Sequence, residues 1–472
     1  MSAPARPTPT VALVDPATYE VGPPLELLDR LRARTPVAWI DEPALHGQPA
    51  GPGFWLVLRH ADVERVLRDP ATFSSWLGAT QVRDAGDLDW VRRMMLNTDP
   101  PDHTRLRRLL TRSFTPRAVA ALTEAIETTA TRLIDRMVSD AREGRCDFTT
   151  DVAADLPLLT LAEVLGVPAE DRWLLFDWSN RVIGWQDPDY ATSAAFDATQ
   201  GTAMARQAVA LRPTPGADGR MPDPRTRAGM PDLYAYARLL ADEKRRSPGR
   251  DVTSILLAQV DEVGGAVSDA EFENVFWLFA VAGNETLRNG LPGGLVALLQ
   301  HPDAMAALRA DPSLLPGAVD EMLRWWTPVM VFRRTATRDV ELAGARIRAG
   351  DKVVASFTSA NRDEAVFAAP DRFDVRRSPN PHLSFGHGPH FCLGGQLARI
   401  QMRALFGALL RRTSVLELDG PPALLRSNFQ RGVKATADPL DSRLSGVARA
   451  GLPRASDSSS VRRTAARSWP PS

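Results

Sequence analysis

Cys392 lies in the segment His382–Arg399, HLSFGHGPHFCLGGQLAR, where a glycine-rich loop opens onto a helical pattern starting near Leu393. Glycines at 386, 388, 394 and 395 permit positive φ and close backbone approach. A thiolate at a helix N-terminus is stabilised by free N–H groups and the helix dipole, so its pKa is expected to fall. Such a cysteine suits a nucleophile or a metal ligand. The ordinary alternative is a buried cysteine that fills core space. Four glycines and three histidines within eighteen residues are a poor setting for that. A zinc set of His382, His387, His390 and Cys392 is conceivable, but its spacing matches no finger or HExxH pattern.

Three further stretches carry ionisable groups at suggestive spacing. Ser268 and Glu271 form a capping box that opens a long helix through Phe276, Trp277, Phe279 and Val281. Within it lies Ala282-Gly283-Asn284-Glu285-Thr286. A mid-helix glycine costs about 1 kcal/mol against alanine, and a charged Glu in apolar surroundings has no obvious partner. Local rule-breaking of this kind marks function. Pro292 is expected to kink this helix or end it early. In Asp99–Leu110, DPPDHTRLRRLL, a Pro-Pro pair launches a helix that puts His103 and Arg107 on one face. Arg105, Arg108 and Arg112 read as a solvated face. Glu321–Arg324, EMLR, is an i,i+3 pair of a kind common on helix surfaces.

The run Phe385–Gly394, FGHGPHFCLG, resembles the haem-binding loop of the cytochrome P-450 monooxygenases. The resemblance implies that Cys392 is the axial thiolate of a haem b (iron protoporphyrin IX), with Phe385 packed beside the sulfur and His390 reaching a propionate. Gly388 belongs to the same loop. EMLR, followed by Pro370–Phe373 (PDRF), is similar to the family's buried ion cluster, which implies a structural triad of Glu321, Arg324 and Arg372. Further propionate ligands implied are His103, Arg107 and Arg334, with Arg333 the alternative to Arg334. The Gly283–Thr286 stretch is similar to the oxygen-binding groove, where Glu285 and Thr286 would relay protons and Gly283 would leave room.

The motifs stand in family order, so the likeness covers roughly Asp15 to Leu440. It implies a mainly α, single large cytochrome P-450-type fold with a β-rich corner. The implied reaction is O2-dependent oxidation of a hydrophobic small molecule: a secondary metabolite, terpenoid, steroid or lipid. Electrons would come from a separate ferredoxin and ferredoxin reductase drawing on NAD(P)H. Two rivals are an enzyme of the same fold that couples C–C or C–N bonds without oxygen insertion, and a non-catalytic haem binder. Candidate substrate-facing residues are Trp76, Trp90, Phe279, Val281, Val329–Val331 and Phe429–Gln430.

The elements that must position these groups are mostly helical. Apolar residues recur at three- and four-residue spacing over Ala118–Arg142, Asp155–Leu165 and Gln396–Arg412. Strand signals cluster at Gly53–Leu58, Val340–Ile347 and Lys352–Ser356. Residues 15–440 are expected to form the domain, with 1–14 and 441–472 disordered. Arg212–Gly229, with four prolines and three glycines, cannot hold a helix and is expected to be a lid-like insertion. It separates helical patterns at Ala194–Leu211 and Pro231–Arg246.

The chain has 472 residues, 44% apolar and 24% charged, an ordinary globular balance. Fifty-seven basic residues equal 57 acidic ones, so no global field favours nucleic acid or an anionic membrane. Two cysteines, Cys146 and Cys392, exclude a disulfide framework and paired CxxC zinc sites. The most apolar stretch, Val275–Gly283, is far short of the roughly 20 residues of a membrane span. A cytoplasmic protein is expected.

Overall fold

A computed structural model describes residues 9–84, 86–114, 116–141, 145–187, 189, 198–217, 221–262, 264–434 and 444–445. Its β-rich corner is a five-stranded sheet in the order β1 (Val37–Ile40), β2 (Phe54–Val57), β8 (Lys352–Ser356), β5 (Val331–Ala336), β3 (Phe73–Ser74). β2 and β8 pair in parallel and the other pairs are antiparallel. A hairpin of β6 (Val340–Leu342) and β7 (Ala345–Ile347) precedes β8. Strands β1 and β5 escape the sequence pattern, and β5 is the one that carries Arg334.

The rest is helical, and the helix Asp269–Gln300 runs through the centre. The Ser268–Glu271 capping box opens it as expected. Its first half, through Phe272, Phe276 and Val281, packs into a core with Trp178 and Tyr236. Its second half, Leu287 to Leu298, joins a different core with Ile134, Met322 and Phe406. Pro292 does not end the helix early: Asp269–Gln300 runs through it. A lost backbone bond costs about 3 kcal/mol. The buried leucines on both sides and the close seat of Gly293 against the Trp326 ring outweigh it.

The helices Pro116–Asp140, Asp155–Leu165 and Gly395–Arg412 lie within a few residues of their periodic patterns. Pro231–Arg246 matches its pattern too, but Ala194–Leu211 does not: Ala194–Asp197 lie outside the described residues, and the helix there is Ala203–Val209, capped by Thr202. Residues 212–217 and 221–229 form no helix or strand.

Two described stretches outside 15–440 carry local structure. Residues 9–13 form a 3-10 turn, and Leu13 and Val14 are buried under the sheet. Asn428 Nδ2 donates to the Val14 carbonyl at 2.6 Å. At the other end, β10 (Leu444–Ser445) pairs with β4 (Arg145–Cys146) and β9 (Glu417–Leu418). Strand pairing of two residues uses backbone groups, which leave no trace in composition. The other residues of 441–472 lie outside the described ones. Among the described residues no helix is long and apolar enough to cross a membrane.

Candidate active site

The Cys392 loop rests on the helix His60–Arg68. Gly388, at φ 68°, sits so close that a Cβ would fall 2.6 Å from the Leu67 carbonyl oxygen. Its lack of a side chain therefore seats the loop. Cys392 N–H donates to the Phe385 carbonyl at 2.9 Å, which turns the chain back beside the Phe385 ring. That ring is held by the Arg399 guanidinium, 4.5 Å from its centroid. The N–H groups of Gly394 and Gly395 reach the sulfur, and Arg107 and Arg399 add positive charge. Part of Cys392 is solvent-accessible. Even so, desolvation of the sulfur dominates and pushes the thiol above its usual range, against the expected fall. A cationic ligand is what would keep this sulfur ionised.

The zinc alternative fails on partners. His387 pairs with Glu64 at 3.4 Å, and His382 with Asp320 at 3.2 Å. Among the described residues no three or more His, Cys, Asp or Glu side chains gather as a metal site.

Four basic side chains from three distant segments meet on the other side of this loop. His103, from the helix Asp102–Ser113, is 2% exposed and neither ring nitrogen has a hydrogen-bond partner. Its ring lies 4.1 Å from that of His390. His390 Nε2 contacts Ser75 Oγ at 3.2 Å. Burial pushes His103 down to about 4, with Arg107 and Arg334 adding to the shift and Asp99 opposing it. His390 is pushed down to about 2 by burial, Arg334, His103 and Arg107. Burial also lowers Arg334 to about 10. Asp99 is itself engaged by the Ser74 hydroxyl and the Ser75 N–H. Two guanidinium groups beside a buried imidazole that has no hydrogen-bond partner fit an anion, and a pair of propionates supplies the right charge. The residues present therefore fit haem b.

β5 separates the two adjacent arginines. Successive strand side chains point to opposite faces. Arg333 is held by Asp84 and the Val82 carbonyl, while Arg334 acts on His103 and His390. The arginines read as a solvated face are partly tied down: Arg105 pairs with Asp261 and Glu271, and Arg108 with Glu262.

The central helix presents an opening one turn long. Ala282 and Gly283 are exposed in a helix otherwise buried on both sides, and Thr286 is half-buried. The Thr286 hydroxyl donates to the Ala282 carbonyl at 2.9 Å. A Cβ at Gly283 would lie 3.0 Å from Leu161 Cδ1, so the glycine also lets this helix approach Asp155–Leu165. Glu285 is fully buried and does have a partner: Arg288 Nη1, 3.4 Å from Oε2. That corrects the reading of an unpartnered acid. The i,i+3 spacing was visible in the sequence.

The ion cluster behind the loop differs from the expected triad in one member. Arg324 grips Glu321 with two bonds, of 2.7 and 2.8 Å. The third side chain is Arg377, 3.1 Å from Glu321 Oε2. Arg372 is exposed and contributes only its carbonyl, which accepts from Arg324 at 3.2 Å. Asn380 and the Asp374 N–H complete the shell around the carboxylate.

The candidate substrate residues divide. Phe279 stacks on Phe114 with centroids 6.1 Å apart. Phe429 packs on Phe332, and Val329 bridges to Gln430. Val281 is core, at 5% exposure. Trp90 is a structural anchor: its indole N–H donates to Tyr234 Oη at 2.8 Å, and the Arg227 guanidinium lies over both rings. Trp76 is partly exposed beneath Arg92.

A family model described as cytochrome P-450 matches residues 237–434. The chain is 38% identical to a steroid C26-monooxygenase of Mycolicibacterium smegmatis, covering 87% of this chain and 89% of that one. It is 36% identical to a methyl-branched lipid omega-hydroxylase of Mycobacterium tuberculosis, covering 86% and 88%. A Mycobacterium marinum cytochrome P-450 structure in complex with pseudoionone superposes with a TM-score of 0.75 at 36% identity, covering 89% and 93%. Hydroxylating relatives disfavour oxygen-free coupling. The chain thus belongs to the cytochrome P-450 family, as a haem-thiolate monooxygenase of hydrophobic small molecules that uses haem b, O2 and redox partners.

Proposed function

We propose that the enzyme hydroxylates the end of an apolar chain on a steroid or methyl-branched lipid, in the cytoplasm, with electrons from a ferredoxin and its NAD(P)H-dependent reductase. The observation that carries this reading is the opening at Ala282–Gly283 and Thr286 in an otherwise apolar, buried helix, together with the substrates named for the two relatives. The haem, when bound through the Cys392 sulfur, supplies oxygen activation, with thiolate donation favouring O–O cleavage. The loop residues hold that sulfur: Gly394 and Gly395 offer N–H groups, and Phe385 shields one side. His103, Arg107, Arg334 and His390 orient the cofactor by its carboxylates.

Proton supply falls to Glu285 and Thr286. The Thr286 hydroxyl donates to Ala282 at rest, so it must turn from that carbonyl to serve the reaction. Glu285, buried behind it, swings to pass the proton on. Phe279 and the apolar flank exclude bulk water, which keeps protons on this route.

A spectral titration with cholestenone, a methyl-branched fatty acid and a polar macrolide tests the substrate class. Binding and terminal hydroxylation of one of the first two is expected. Preference for the macrolide would overturn the reading.

A further inference from the structure

The loop that carries Cys392 is closed at both ends on one carboxylate. Asp320 lies on the helix Leu315–Trp326, immediately before the Glu321 of the buried ion cluster. Its Oδ1 accepts from Arg399 Nε at 2.7 Å and meets His382 Nε2 at 3.2 Å. His382 and Arg399 are the first and last residues of the segment HLSFGHGPHFCLGGQLAR, and Cys392 lies between them. The other side of the imidazole fixes its tautomer: Nδ1 accepts from the Ser384 N–H at 3.2 Å, so Nε2 carries the hydrogen that Asp320 receives. Burial works to raise the pKa of the Asp320 carboxyl. The hydrogen bonds from His382 and Arg399 outweigh it and hold the group below the usual carboxylate range, so it is ionised.

Arg399 carries this attachment to the surroundings of the sulfur. It stands one turn after Gly395 on the helix Gly395–Arg412. A Cβ at Gly395 would lie 3.4 Å from Phe385 Cδ1 and 3.7 Å from Arg399 Nη1, so ring, glycine and guanidinium are packed together. The guanidinium carbon is 4.5 Å from the Phe385 ring centre. The Gly395 N–H reaches the sulfur, and Arg399 acts on it by charge. The Arg399 side chain is 27% exposed, so without an acceptor it would be free to turn its head out to water. The Asp320 bond removes that freedom and sets a negative charge against the positive one.

We infer that Asp320 is a positioning residue for the haem thiolate: it fixes the Arg399 guanidinium against Phe385 and offsets its charge, and the pair sets how readily the haem iron accepts an electron. A cation near the thiolate favours the added electron and an anion disfavours it. Removing either partner should therefore shift the reduction equilibrium, in opposite directions. An ion pair that only fastened the loop to the helix would affect stability and haem retention without that reversal of sign. The role of Asp320 rests on Cys392 being the axial ligand, and the carbon monoxide spectrum separates the two.

The experiment is spectroelectrochemical reduction of the haem-loaded protein without substrate, with the carbon monoxide spectrum of each sample. The variants are Asp320→Asn, Arg399→Gln and Arg399→Lys. Asp320→Asn keeps an acceptor of the same shape and should raise the equilibrium constant for reduction roughly three- to tenfold. Arg399→Gln should lower it by a similar factor, tenfold being about 59 mV for one electron. Arg399→Lys keeps the charge and should fall between the parent and Arg399→Gln. The red-shifted band of thiolate ligation should persist in all three. Shifts of the same sign in Asp320→Asn and Arg399→Gln would overturn the role, because loosening of the loop would then be the cause. So would unmoved potentials, or a shift in Arg399→Lys as large as in Arg399→Gln. If Asp320→Asn does not retain haem, the two Arg399 variants decide the matter between them. A parent protein without the red-shifted band would remove Cys392 as the ligand, and the role of Asp320 with it.

Discussion

The rings of His103 and His390, 287 positions apart in the chain, lie 4.1 Å from each other, and no hydrogen bond satisfies either nitrogen of His103. Burial, with Arg107 and Arg334 beside them, disfavours a proton on either imidazole in the haem-free protein. Haem carboxylates would reverse that balance. Arg334→Ala and His103→Phe are each expected to speed haem loss about tenfold, by removing a charge-assisted contact of the usual strength. Haem transfer to an acceptor globin measures it. Unchanged loss rates would take both residues out of the cofactor site.

The depressed pKa of His103 has a definite sign. Its value is about 4 folded against 6.5 unfolded. Between those values the unfolded chain binds the extra proton, so stability is present above about 6.5 and is lost as pH falls toward 4. Denaturant titrations of haem-free protein should show this slope, and His103→Asn should flatten it. An identical slope in the variant would assign it to other groups.

Glu321 should depend on Arg377, not Arg372. Arg377→Ala leaves a fully buried carboxylate short of one charged partner and is expected to cost about 3 kcal/mol or more. Arg372→Ala loses only an exposed side chain and should stay within about 0.5 kcal/mol. Thermal unfolding of the two variants decides it; the reverse order would restore Arg372 to the cluster.

Sequence reading reached furthest where function forces residues close in the chain. The Cys392 loop, the Ser268 cap and the helix Asp155–Leu165 were legible because each is a local pattern of glycines, caps or 3.6-residue spacing. Arg377 was not, because PDRF and the RR pair that follows each offer an arginine within five residues of the other. Only the exposed position of Arg372 tells them apart. β5 was missed because its inward positions include Arg334, so the apolar alternation that announces a strand is broken by the site itself. The burial of Leu13 and Val14 depends on Asn428, a contact spanning nearly the whole domain.

Residues 221–229 are fastened by arginines. Arg225 lies 4.1 Å over the Trp185 ring, and Arg227 pairs with Glu273 while covering Trp90 and Tyr234. If the insertion serves as a lid, these contacts must open for substrate to enter. Arg227→Ala should quicken limited proteolysis within 212–229, and a tight ligand should slow it in both proteins. Cutting that ignores both the substitution and a saturating ligand would make the segment a passive insertion.

Thr286→Ala should retain haem and substrate binding, keep consuming NAD(P)H and divert electrons to hydrogen peroxide, with product per NAD(P)H falling about tenfold or more. Peroxide and product assays give both numbers. Full coupling would leave the hydroxyl with only its bond to Ala282.

The axial role of Cys392 is tested most directly by the carbon monoxide spectrum of the dithionite-reduced protein. Thiolate ligation predicts a strongly red-shifted Soret band that disappears in Cys392→Ser and persists in Cys146→Ser. A histidine-type carbonyl spectrum in the intact protein, or an unaltered red-shifted band in Cys392→Ser, would contradict it.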